Sequence, residues 1–78
     1  MPSLELNYTA VFDLNENGGY TVTVPALPGL VTEGTTLEEA KEMAREAIVC
    51  YLEGLLKDGE PFPTERQVLH ETLRVAVG

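Results

Sequence analysis

Tyr20-Thr21-Val22-Thr23-Val24-Pro25-Ala26-Leu27-Pro28-Gly29-Leu30-Val31-Thr32-Glu33-Gly34-Thr35-Thr36-Leu37-Glu38-Glu39-Ala40 carries two periodicities in succession. Tyr20, Val22 and Val24 alternate with threonines, so they share one face of a strand. Pro25 ends that strand, because it has no N–H to give to a ladder. Pro28-Gly29 is a turn pair: proline sets φ, and glycine accepts a positive one. A short third strand, Leu30-Val31-Thr32-Glu33, follows and stops at Gly34. Thr36-Leu37-Glu38-Glu39 then matches a capping box, with Thr36 as N-cap and Glu39 three residues on. From Leu37 the apolar spacing becomes helical.

Working outward, Leu37, Ala40, Ala44, Ala47, Ile48, Tyr51, Leu52 and Leu55 form one stripe at ~100° per residue. Glu39, Glu42, Glu46 and Glu53 lie on the opposite face. The helix is expected to end near Lys57-Asp58-Gly59, with Gly59 in the left-handed C′ position. Upstream, Leu4, Leu6, Tyr8, Ala10 and Phe12 alternate with polar neighbours and predict a first strand. Asn15-Glu16-Asn17-Gly18-Gly19 predicts the hairpin turn after it. Downstream, Pro61-Phe62-Pro63 is a stiff connector, and Leu73-Arg74-Val75-Ala76-Val77 alternates again. The expected fold is α+β in the order β-β-β-α-β. It is an antiparallel three-stranded meander plus a last strand parallel to the first. One long helix covers one face, and the crossover is right-handed.

The 78 residues predict a single domain over 1–78. At 44% hydrophobic residues the chain can build a core, so it is not a disordered segment. Thirteen acidic and five basic residues leave a formal net charge of -8. Nucleic-acid binding rests on Lys and Arg neutralising phosphates, so DNA or RNA binding by this chain alone is not expected. The charge has two readings. It keeps a small domain soluble, or it steers a basic protein partner. A single cysteine, Cys50, excludes an internal disulfide. No apolar run reaches the ~18–20 residues of a membrane span. The start Met1-Pro2-Ser3-Leu4 has no signal-peptide pattern. Together these point to a cytoplasmic protein.

Catalytic chemistry is hard to assemble from these residues. His70 and Cys50 are too few for a metal site, so no cofactor or metal is expected. The only serine, Ser3, sits in a terminus expected to fray, and His70, the one candidate base, reads as a surface histidine. Gly18-Gly19 lacks the frame of a phosphate loop. Asp13 and Glu33 end strands, while the helix acids face away from them, so a magnesium nuclease is not expected. The chain reads as a non-enzyme.

Binding surface remains. Glu39, Glu42, Glu46 and Glu53 form either a solvated face or a surface for a basic partner. The loop Pro25, Leu27, Pro28, Gly29 and Leu30 reads as two exposed-looking leucines on a stiff frame, which either cover the edge of the core or present an anchor to another chain. Met43, Cys50 and Gly54 flank the apolar stripe and suggest helix-mediated self-association. Exposed strand edges offer a further mode of pairing.

The ordered set Gly19-Tyr20-Thr21-Val22-Thr23-Val24-Pro25-Ala26-Leu27-Pro28-Gly29, then Val31-Thr32-Glu33-Gly34-Thr35-Thr36-Leu37-Glu38-Glu39-Ala40, resembles the HicB-type antitoxins. Ala44-Arg45-Glu46-Ala47-Ile48, Tyr51-Leu52, Asp58-Gly59-Glu60 and Pro63 extend the likeness over residues 8–63, and the last expected strand belongs to it too. The resemblance implies a partial ribonuclease-H-like fold and a toxin–antitoxin setting. It implies a partner, HicA, a small basic ribonuclease that cleaves messenger RNA, and it implies homo-oligomers, dimers or tetramers. Two departures stand out. Many members carry a DNA-binding segment after this domain, and here the chain stops at Gly78, so operator binding is not expected of it. Leu30 stands where members often have cysteine. The family also has stand-alone members, so a homo-oligomeric module without a toxin is the alternative reading.

Overall fold

A computed structural model describes residues 5–65 and 71–78. Strands β1 (Val11–Leu14), β2 (Tyr20–Thr23) and β3 (Val31–Gly34) precede one helix, α1 (Leu37–Lys57). The sheet has the order β1-β2-β3, with both neighbouring pairs antiparallel. This is the α+β meander-and-helix arrangement expected from the two periodicities.

The register explains why β1 begins later than the alternation does. Val11 pairs with Thr23. Continuing the same ladder would set Ala10 against Val24 and Thr9 against Pro25, which has no donor. Residues 5–10 therefore form no strand, although their parity is kept. Tyr8 and Ala10 pack against the core formed by Val24, Leu27 and Leu30, and Phe12 packs against Val22.

The turns follow their side-chain chemistry. Asn15 Oδ1 accepts from the backbone N–H of Asn17 and of Gly19, each at 3.0 Å. That closes the β1–β2 hairpin, with Gly18 at φ 83°. At the helix start, Thr36 Oγ1 accepts from Glu39 N at 3.0 Å. The Glu39 carboxylate reaches back to Thr35, accepting its N–H at 3.0 Å and its hydroxyl at 3.2 Å. The reciprocal half of the capping box is thus displaced by one residue. At the helix end, Gly59 N donates to Leu56 O and Glu60 N to Leu55 O. With Gly59 at φ 71° this is a Schellman motif, so the orphan carbonyls are satisfied.

Helix α1 packs mainly over β3 and then β2. Close approach is possible because small residues meet. Val22 is fully buried against Ala40 and Ala44, and Gly34 lies under the first turn. A Cβ on Gly34 would sit 2.7 Å from Ala40 Cα, closer than packed atoms tolerate. Further along, Ala47, Ile48, Tyr51 and Leu52 cover Val24, Leu27 and Leu30. The Tyr51 hydroxyl donates to Pro28 O at 3.0 Å, tying the loop to the helix.

Two expectations need correction. Leu27 and Leu30 are core residues, with Leu27 fully buried. The Pro28-Gly29 turn, with Gly29 at φ 86°, folds the loop inward over the open end of the sheet. Residues 73–77 form no strand. Leu73, Val75 and Val77 are 76%, 78% and 97% exposed. Alternation made them competent to pair, but nothing among the described residues pairs with them. The connector runs back to the segment that precedes β1. Tyr8 donates its hydroxyl to Pro63 O at 2.6 Å, and Thr9 N donates to both Glu65 carboxylate oxygens at 2.8 and 3.0 Å.

Candidate functional site: the outward face of the helix

Residues four and seven apart share a helix face. Glu42, Glu46 and Glu53 therefore line up along the solvent side of α1, and all are exposed. Glu39 joins them at the N-terminal end, although its carboxylate is engaged at Thr35. Glu42 accepts a hydrogen bond from Arg45 Nη1 at 2.8 Å. That pair is well exposed and contributes little to stability. Glu46 and Glu53 have no such partner among the described residues.

This stripe is not purely acidic. Met43 and the free thiol of Cys50 are exposed along one margin. Val49 and Leu56 are exposed along the other. The sequence reading found the first margin but missed the second. Val49 and Leu56 were legible as apolar residues outside the core stripe, at positions that place them beside Glu42, Glu46 and Glu53. A surface with an acidic centre and apolar margins suits a protein partner, since charge governs encounter and apolar contacts supply affinity.

The other expected site residues separate. Pro25, Pro28 and Gly29 are exposed at the loop surface, while Leu27 and Leu30 point into the core. Asp13 and Glu33 do share the sheet face away from α1, on one cross-strand row with Thr21 between them. Two strand spacings put them about 10 Å apart, too far to share a metal ion. A cleft of about 360 Å³ opens between the hairpin turn and the helix start, lined by Asn15, Asn17, Glu33, Thr35, Glu39 and Met43 among others. Its acids do not converge, and Glu39 already serves the helix cap. No group of three or more His, Cys, Asp or Glu that could hold a metal occurs among the described residues. Ser3 and His70 lie outside them. No described helix is long and apolar enough to cross a membrane.

The structure is that of a small α+β domain with an acidic, apolar-edged helix face. Its family follows from comparison with known proteins. The family model described as the HicB-like antitoxin of bacterial toxin–antitoxin systems matches residues 8–74, and the chain belongs to that family. A UPF0150 protein of Thermoplasma acidophilum is 43% identical over 60 residues, which is 77% of this chain and 87% of that protein. A UPF0150 protein of Synechocystis is 38% identical over 64 residues, covering 82% of this chain and 81% of its own length. The antitoxin HicB 1 of Photorhabdus laumondii is 38% identical over 58 residues, or 74% of this chain. The matched part spans only 37% of that antitoxin.

Proposed function

We propose that this chain is an antitoxin that binds and neutralises a HicA-type, mRNA-cleaving toxin, and that it does so without catalysis of its own. The observation that carries this reading is the family match over residues 8–74. The net charge of -8 supports it, because a ribonuclease that grips RNA must be basic on its working face. An acidic partner competes for that face. Within the chain, Glu42, Glu46 and Glu53 with Met43, Val49 and Cys50 are the residues assigned to the contact. Leu27 and Leu30 are left out because they are buried.

The test is direct. The purified chain is mixed with the basic ribonuclease encoded beside its gene, and complex formation and RNA cleavage are measured. A stable complex with cleavage suppressed is expected. Charge reversal by Glu46→Lys with Glu53→Lys should weaken the complex by roughly tenfold and flatten its salt dependence. Free cleavage in the presence of excess wild-type chain would refute the reading.

A second reading is favoured by one comparison. The two UPF0150 relatives are matched over 87% and 81% of their length, whereas the named antitoxin is matched over 37%. By coverage, the chain is closer to the short relatives. A stand-alone homo-oligomeric binding module, with no toxin partner, fits that pattern. A gene neighbourhood without a small basic reading frame, together with self-association of the purified chain, would favour it.

A further inference from the structure

We propose that Asn17-Gly18, at the tip of the β1–β2 hairpin, is a site of spontaneous covalent change, where asparagine becomes aspartate and isoaspartate through a cyclic imide. The chain has three asparagines, Asn7, Asn15 and Asn17, followed by Tyr8, Glu16 and Gly18. Only Asn17 precedes a glycine. Ring closure needs the next backbone nitrogen to reach the side-chain carbonyl carbon. A residue without Cβ neither shields that nitrogen nor restricts its backbone. Asparagine is a thermolabile residue, and this setting exposes the weakness most.

The fold leaves the pair open. Asn17 and Gly18 are both exposed, and a Cβ built on Gly18 would meet nothing within 4 Å. Asn15 is half-buried, and its side-chain oxygen is held by the N–H groups of Asn17 and Gly19, each at 3.0 Å. The Asn17 side chain makes no such bond among the described residues. One restraint remains, since Gly18 N donates to Asn15 O at 3.1 Å. The nitrogen can attack only when that bond opens, so local opening of the exposed turn gates the reaction. Asp58-Gly59 has the same spacing, but Gly59 N and Glu60 N are tied to Leu56 O and Leu55 O at the helix end. An ionised carboxylate is also a poorer electrophile than an amide.

The Gly18 nitrogen bonds to Asn17 Cγ, and the Cγ–Nδ2 bond breaks. The Gly18 N–H proton passes through solvent to Nδ2, which leaves as ammonia. Water then opens the imide. Attack at the side-chain carbonyl gives aspartate, and attack at the main-chain carbonyl gives isoaspartate. Either product adds one negative charge to a chain already at -8. Asn17 lines the cleft that Glu33 and Glu39 also line, so the new carboxylate joins like charges. Isoaspartate does more, because it lengthens the main chain by one methylene, about 1.5 Å. The insertion falls between Asn15 and Gly19, the residues whose bonds close the turn. Gly19 has little room to absorb it, being buried against Gly34, where a Cβ would lie 2.5 Å from Gly34 O. The change therefore loosens the hairpin and leaves the helix intact. It is independent of any toxin, so the experiment uses the chain alone.

The full chain is incubated in mildly alkaline buffer and its mass is followed, with digestion to place the change. Conversion is expected at Asn17, with the mass gain of an amide turned to an acid, while Asn7 and Asn15 stay intact. The isoaspartyl fraction should take up methyl from a sulfonium donor in the presence of an isoaspartyl carboxyl methyltransferase. Asn17→Gln keeps the amide but moves it one methylene away, and should stop the conversion. Asn15→Ala removes the acceptor that holds the turn and should speed it severalfold. In urea denaturation the isoaspartyl chain should unfold earlier than Asn17→Asp, which carries the charge without the added methylene. A folded chain that keeps Asn17 over a time in which the urea-unfolded chain converts would overturn the proposal. So would equal loss at Asn7 or Asn15, or conversion that persists in Asn17→Gln.

Discussion

Strand β2 (Tyr20–Thr23) and residues 73–77 are written in the same local code and meet opposite fates. Each alternates apolar or aromatic residues with partners on the other parity. In β2 the ladder is complete on both sides, and Val22 is fully buried. In 73–77 no ladder forms, and Val77 is almost wholly exposed. The difference lies in what surrounds each segment. A tight Asn-Gly hairpin delivers β1 to one side of β2, and the Pro28-Gly29 turn delivers β3 to the other. Residues 73–77 follow a crossover rather than a hairpin, and closing longer loops costs more chain entropy. Period two therefore makes a segment able to pair, while the connections decide whether a partner arrives.

If that is correct, substitutions in the paired body should be felt strongly and substitutions in residues 73–77 hardly at all. Among truncations to alanine the largest effect is expected at Leu27, which is fully buried under α1. Leu27→Ala should lower unfolding free energy by about 2–5 kcal/mol, measured by urea denaturation. A loss below about 1 kcal/mol would mean that this loop is not part of the core.

Next is Gly34→Ala. The added methyl meets backbone, not the flexible end of a side chain, so α1 or β3 must move. A cost of about 1–3 kcal/mol is expected, in the range of overpacked cores. Full tolerance would show that the helix can lift from the sheet cheaply. Thr36→Ala comes third. It removes the hydroxyl that accepts from Glu39 N, and should cost about 1 kcal/mol while leaving the fold intact.

Legibility in the sequence divides along the same line. The helix was readable almost to the residue because both ends carry their own chemistry, Thr36 at one and Gly59 at the other. The hairpin was readable from Asn15 and Gly18. The late start of β1 was not, because it depends on Pro25 lying opposite Thr9, a register that appears only once the hairpin closes. The burial of Leu27 and Leu30 was missed for a related reason. Prolines on both sides suggested an outward loop, but Tyr51, 23 residues beyond Pro28, draws that loop under the helix. At the candidate site, the acidic stripe was visible by helical spacing. The margin of Val49 and Leu56 is less legible, because apolar residues beside a core stripe carry no local mark of whether they are covered.

The smallest expected effect is the most discriminating. At concentrations low enough to keep the chain monomeric, Val75→Asp should change unfolding free energy by less than about 0.5 kcal/mol, as for an exposed residue with no partner. Val22→Asp offers the contrast, since it places an unpaired carboxylate against Ala40 and Ala44 and should abolish folding. Both changes put the same charge on the same kind of residue in the same kind of alternation. If Val75→Asp proved as damaging as Val22→Asp in the monomer, residues 73–77 would have to pair within their own chain. The crossover would then deliver a partner strand as reliably as the hairpin does, and the distinction between the two segments would collapse.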